Sequence, residues 1–94
     1  MKEIHYTEHL NLRLKLREIP YNLPRKIYRE AKERYFDNET KKIIAIKEIK
    51  YKNRTKEIAL IYEETLTKVN LITIHPLKVY QKLGRIKSGR WQKL

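Results

Sequence analysis

"HLNLRLKLREI", residues 9–19, decides the fold. Leu10, Leu12, Leu14 and Leu16 alternate with Asn11, Arg13, Lys15 and Arg17, which is the period-two pattern of a half-buried strand. The residue types argue the other way. Leu, Arg, Lys and Glu are good helix formers, none of residues 8–18 is β-branched, and Thr7 followed by Glu8 supplies an N-cap and a first-turn carboxylate. We read the segment as a helix. On it Leu12, Leu16 and Ile19 share one face and Leu10 and Leu14 another, while His9, Arg13 and Arg17 align under either period because they are four apart.

Downstream, "PYNLPRKIYREAKERY" (20–35) reads as a second, amphipathic helix. Pro24 suits a first turn, Asn22 can cap, and Leu23, Ile27 and Ala31 recur every four residues with Tyr28 and Tyr35 alongside. Glu30 precedes Arg34 in the favourable order for a helical ion pair. From Tyr35 the β-branched content rises. A short strand, a turn at Asp37 to Thr40, a long strand from about Lys42 to Tyr51, and further strands in "TKEIALIYEE" and "VNLITIH" form an antiparallel meander, with the N-terminal "EIHY" a candidate to join it. In the last strand, alternation puts Ile72 and Ile74 on one face and Val69, Leu71, Thr73 and His75 on the other. Being apolar on both sides, that strand belongs inside the sheet or under cover. Pro76 ends it. Leu77, Tyr80 and Leu83 then mark a short basic helix stopping near Gly84, followed by an irregular arm, "RIKSGRWQKL".

The 94 residues form one domain, 1–94, of α+β class, with 40% hydrophobic and 36% charged residues and no internal repeat. The net charge of +12 is the unusual number, because a chain so small repels itself unless an anionic partner compensates. All eleven acidic residues lie between Glu3 and Glu64, where sixteen basic ones leave +5; residues 65–94 carry seven basic and no acidic residues, or +7. No apolar run suits a membrane span and "MKEIHYTEHL" lacks the apolar core of a signal peptide, so we expect a cytoplasmic protein. Cysteine is absent, which excludes disulfides, thiolate catalysis and cysteine-based zinc sites.

Metal and nucleotide chemistry find little support. His5 and His9 are four apart, but His5 precedes the expected helix and no H-E-x-x-H context surrounds them, so no metal or other cofactor is expected. Two isolated glycines make no phosphate cradle, and Ser88, the sole serine, has no nucleophile-elbow context. A cationic surface remains. Lys78, Lys82, Arg85, Lys87 and Arg90 can neutralise phosphates, Trp91 offers a ring on which a base can stack, and Arg13 and Arg17 add to them beside His9. The plainer reading is a solvated face with the tryptophan packed on the core. Metal-independent RNA cleavage needs a base for the 2′-hydroxyl, a cation for the developing charge and an acid for the leaving oxygen. His75 and His9 are candidates for proton transfer and Tyr80 for a donor, although a local hydrogen bond for His75 and helix packing for Tyr80 are the ordinary alternatives.

In the order strand, "HxxxRxxxR" helix, second helix and antiparallel meander ending in "LITIHP", the chain resembles the small domains related to BrnT and RelE toxins, within the barnase/colicin/RelE ribonuclease superfamily. His9, Arg13 and Arg17 match the N-terminal His and Arg pattern of that group; the spacing of the other basic residues departs from RelE-like patterns. The resemblance implies two helices on one face of a curved antiparallel sheet of about four strands. It also implies a type II toxin-like endoribonuclease acting on RNA, often at the ribosome, with a small acidic antitoxin as partner. Two alternatives stay open: a nucleic-acid-binding module without catalysis, and an inactive toxin relative keeping only its partner-binding face.

Overall fold

The structure, a computed structural model, describes residues 2–94, except for the side chain of Tyr51. Residues 9–16 of this stretch are helical. Strand β1 (Glu3–Tyr6) leads into helix α1 (Glu8–Leu16), whose N-cap Thr7 accepts a hydrogen bond from the Leu10 N–H at 3.1 Å and donates its hydroxyl to the Ile72 carbonyl at 3.0 Å. One side chain thus starts the helix and fastens it to the sheet. The leucine alternation resolves into two helical faces: Leu10 and Leu14 are buried, whereas Leu12 and Leu16 are 56% and 73% exposed. Glu18 turns the chain at φ 54°, and Ile19 returns to the core with its N–H bonded to the Leu14 carbonyl. Because Leu10 is completely buried, Leu10→Ala should lower unfolding free energy by about 2–5 kcal/mol, measurable by urea denaturation.

Helix α2 (Leu23–Glu30) is shorter than the sequence pattern suggests. Pro24 lies buried in its first turn and Ile27 in the core, but Asn22 makes no side-chain cap bond, and Ala31 already has extended backbone. Tyr35 therefore belongs to strand β2 (Glu33–Asp37). The expected Glu30–Arg34 helical pair is not made: Glu30 meets Lys47 at 3.5 Å, and Arg34 donates to the Tyr62 hydroxyl at 2.8 Å and to the Tyr28 carbonyl. The helix gave way because Arg34 and Tyr35 pair with Ala45 and Ile44 across the sheet.

Strands β3 (Ile43–Tyr51), β4 (Arg54–Glu64) and β5 (Lys68–Pro76) form the meander. Helix α3 (Val79–Lys87) and strand β6 (Trp91–Lys93) complete a six-stranded mixed sheet of order β1-β5-β4-β3-β2-β6. The α+β class holds, with six strands in place of about four and with β1 running parallel to β5 rather than extending an all-antiparallel sheet. β5 is internal, between β1 and β4. The arm expected at the C-terminus folds as β6 along β2, a pairing that three residues without a period cannot announce.

A bulge sets which face His75 occupies. Ile61 pairs with Thr73 but Tyr62 with Leu71, so Ile72 is the extra residue of β5. Parity flips there: Val69, Leu71 and Ile74 share one core with Leu10, Leu14, Ile27 and Tyr62 beneath α1 and α2. Thr73 and His75, opposite Ile61 and Ala59, face the other side. Strict alternation had grouped Ile72 with Ile74 and Leu71 with His75; one inserted residue undoes both groupings.

That second face carries a smaller core of Tyr35, Ile44, Ile46, Ala59 and Trp91. α3 covers part of it with its polar side. The Lys82 ammonium reaches Glu33 at 2.7 Å and Glu57 at 2.9 Å, while Tyr80 (89% exposed) and Leu83 point to solvent. Gly84 does not stop the helix, since glycine inside a helix costs only about 1 kcal/mol. The chain leaves it instead past Ser88, with Gly89 at φ 82°. Asp37 anchors the far end: its carboxylate accepts from Arg90 at 3.0 and 3.1 Å, from the Trp91 indole at 3.3 Å and from the Glu39 N–H at 2.9 Å. Burial alone would raise its pKa, but the Arg90 bond and the Glu39 and Thr40 N–H groups outweigh that and hold it at about 2, against 3.8. Its stabilisation is therefore full above pH 3.8 and is lost as pH falls toward 2. Asp37→Asn should remove roughly 2 kcal/mol at neutral pH and flatten acid denaturation across that window, read by unfolding curves at several pH values.

Candidate nucleic-acid interface

At the end of β5 the chain passes from His75 through Pro76 and Leu77 to Lys78, the N-cap of α3. The Leu77 N–H is held by the Glu57 carbonyl at 2.8 Å, so this exit is fixed against the start of β4. C-terminal positions of α1 lie beside it. Together they enclose a cavity of about 830 Å³ whose lining includes Arg13, Arg17, His75, Lys56 and Lys78, with Glu48 and Glu57. Four cations against two carboxylates leave an excess of two positive charges, and Glu57 is already engaged by Lys82. Such a cavity favours an anionic ligand over a neutral one.

His75 is the group in it with acid/base capacity near neutrality. Its Nδ1 lies 3.1 Å from the Pro76 carbonyl oxygen. A carbonyl only accepts, so in the neutral ring this contact places the proton on Nδ1 and leaves Nε2 as an acceptor. Burial pushes its pKa below the ordinary 6.5, and the positive fields of Arg13, Arg85 and Arg17 push the same way, against the Pro76 contact, which favours protonation. Neutral imidazole is thus the resting form at pH 7. That is the form a general base requires.

The sequence-derived residues divide by position. Arg13, Arg17, Lys78 and His75 meet in the cavity. Arg85 is close enough for its charge to act on His75 and lines an adjoining pocket that His75 also borders. His9 is exposed and does not line that cavity; it lines a neighbouring groove along α1 with Leu12, Arg13, Leu16 and Arg17. Tyr80 points to solvent on α3 and is neither a core residue nor part of the His75 cavity. Lys82 and Arg90 serve the fold, the first pairing with Glu33 and Glu57, the second clamped on Asp37 and within 3.4 Å of Glu39. Lys87 is exposed in the last turn of α3. Trp91 is 3% exposed, stacks on Tyr35 at 5.7 Å and lies under the Arg85 guanidinium at 5.5 Å, so it presents no open ring for a base. The packed-core reading of the tryptophan is the one its surroundings match.

Compared with protein-family models, curated proteins and solved structures, the chain matches none. Function must therefore be read from the cavity itself. Lys56, Glu48 and Glu57 are the charged lining residues that sequence reasoning missed. No local motif marks them; Lys56 and Glu57 come near His75 through the β4–β5 register that sets Ala59 against His75 and Ile58 against Pro76, and Glu48 through its pairing with Glu57 across β3 and β4. Among the described residues, no three of His, Asp and Glu gather in a group that would hold a metal ion, and no helix is long and apolar enough to cross a membrane.

Proposed function

We propose that the protein binds RNA at the His75 cavity and cleaves it without a metal ion. The observation that carries this reading is a partly buried, neutral imidazole that lines one cationic cavity together with two arginines from another element. In the reaction, His75 Nε2 takes the 2′-hydroxyl proton and the 2′-oxygen attacks the adjacent phosphorus. The bond to the 5′-oxygen then breaks, and the departing oxygen takes a proton from Lys78 or from water. Arg13 and Arg17 stabilise the negative charge that builds on the phosphoryl oxygens, where fixed cations act most strongly. The products are a 2′,3′-cyclic phosphate and a 5′-hydroxyl. A labelled RNA incubated with the protein in excess chelator should give fragments with these ends; intact RNA would refute the catalytic step.

The toxin-like reading follows from the same chemistry and from the resemblance of the "HxxxRxxxR" helix and the "LITIHP" strand: an RNA-cleaving protein of net charge +12 calls for an acidic partner that holds it in check. A second reading, RNA binding without cleavage, is favoured by one observation. His9 and Tyr80 lie outside the cavity, which leaves His75 without a second acid/base side chain of the expected kind. It predicts salt-dependent binding and no fragments.

A further inference from the structure

We propose that the pocket adjoining His75 on the α3 side of the sheet is a nucleobase subsite, which rests on the RNA-binding reading above. The pocket has a volume of about 340 Å³ and is bordered by Ile44, Ile61 and Ile72, with Thr73, His75 and Arg85 among its other lining residues. Its size is at the lower end of pockets that enclose small ligands. His75 is shared with the cationic cavity, so a nucleotide whose phosphate lies against Arg13 and Arg17 can send its base past the imidazole into this pocket.

The polar group that would read the base is Thr73. Its Oγ1 is fully buried and, among the described residues, is the one buried side-chain polar atom without a hydrogen-bond partner. A buried orphan hydroxyl is destabilising, and valine at the same place would avoid that penalty with nearly the same shape. A hydroxyl both donates and accepts, so once a rotation about the Thr73 Cα–Cβ bond turns it into the pocket it can meet either kind of edge that a base presents. Thr73 and His75 are two positions apart on one strand face, about 6.8 Å along the chain, which separates base reading from proton transfer. Isoleucine walls supply the apolar surface against which a flat heterocycle packs, and the Arg85 guanidinium, already over the Trp91 ring, offers a second planar face at the rim.

The test uses short 2′-O-methyl oligonucleotides, which lack the attacking hydroxyl, in base-bearing and abasic forms of equal length. Base-bearing strands should bind native protein about 10-fold or more tightly than abasic ones, in line with the energy of packing one base. Thr73→Val should weaken the preferred base by about 3- to 10-fold, leave abasic binding unchanged, and keep or raise thermal stability. Ile61→Trp, which fills the pocket from the facing strand, should abolish the difference between the two strand types. Equal binding of base-bearing and abasic strands by native protein would overturn the subsite while leaving phosphate binding intact. Absence of binding to either would overturn the RNA reading and the subsite with it.

Discussion

His75→Ala is expected to lower the RNA cleavage rate by about 10²- to 10⁴-fold, the usual contribution of a positioned base, with little change in RNA affinity. The imidazole is neutral at rest, so its removal takes no charge from the phosphate site. Being half-buried and bonded to the Pro76 carbonyl, it also has a packing role, and His75→Gln serves as the polar control of similar reach; it should fold as the native chain does and remain inactive. The pH dependence has a definite sign. Burial first, and then Arg13, Arg85 and Arg17, depress the pKa below 6.5. The active base is therefore fully present at neutral pH and disappears only as pH falls through that lowered value, so native cleavage should persist into mildly acidic solution. The same depression means that the folded state binds this proton less readily than the unfolded one, and stability declines as pH drops below 6.5.

Replacing Arg13 and Arg17 together with alanine should weaken RNA binding and cleavage at once. Two phosphate-neutralising cations removed from a single-strand site reduce the salt slope, the change of log affinity with log salt, by about 1.4. The transition-state charge loses its stabilisers as well, and a fixed donor of this kind is worth roughly 10²-fold or more in rate. A third effect separates this pair from surface arginines in general. Both lie among the charges that depress the His75 pKa, so the acid limb of any residual activity should move upward toward 6.5. Substitution of Lys87, exposed and outside the cavity, should leave that limb where it is. Pairwise comparison of binding in titrated salt and cleavage across pH measures all three.

Much of the fold was legible in the sequence because local chemistry and tertiary need agreed. Thr7 and the absence of β-branched residues from 8 to 18 outweighed a leucine alternation that pointed to a strand, and the cap bond to Leu10 is the reason. Pro76 ended β5 as its missing N–H requires. The failures have a common cause in long-range pairing. Tyr35 left the α2 pattern because Ile44 waits across the sheet; Trp91 to Lys93 became a strand because β2 offered an edge. The β5 bulge, invisible to alternation, decides that Thr73 and His75 lie together on the face opposite α1 and α2.

The candidate site was legible in part for the same reasons. Spacing alone aligned Arg13 with Arg17, and the change from strand to basic helix drew attention to His75 and Lys78; the structure lines one cavity with all four. Charge could not be sorted from sequence. In the acid-free C-terminal third, Lys82 and Arg90 are tied to Glu33, Glu57 and Asp37 from the middle third, so an uncompensated run in sequence is partly compensated in space. Arg13, Arg17, Lys56 and Lys78 instead line one cavity with the His75 imidazole.

The most direct measurement is single-turnover cleavage of a labelled RNA in chelator across pH, with native protein and His75→Gln side by side. Native protein should produce cyclic-phosphate fragments with an acid limb below pH 6.5, and His75→Gln should bind the RNA yet leave it whole at every pH. Equal rates and the same pH profile for the two proteins, or no cleavage by either, would contradict a catalytic His75.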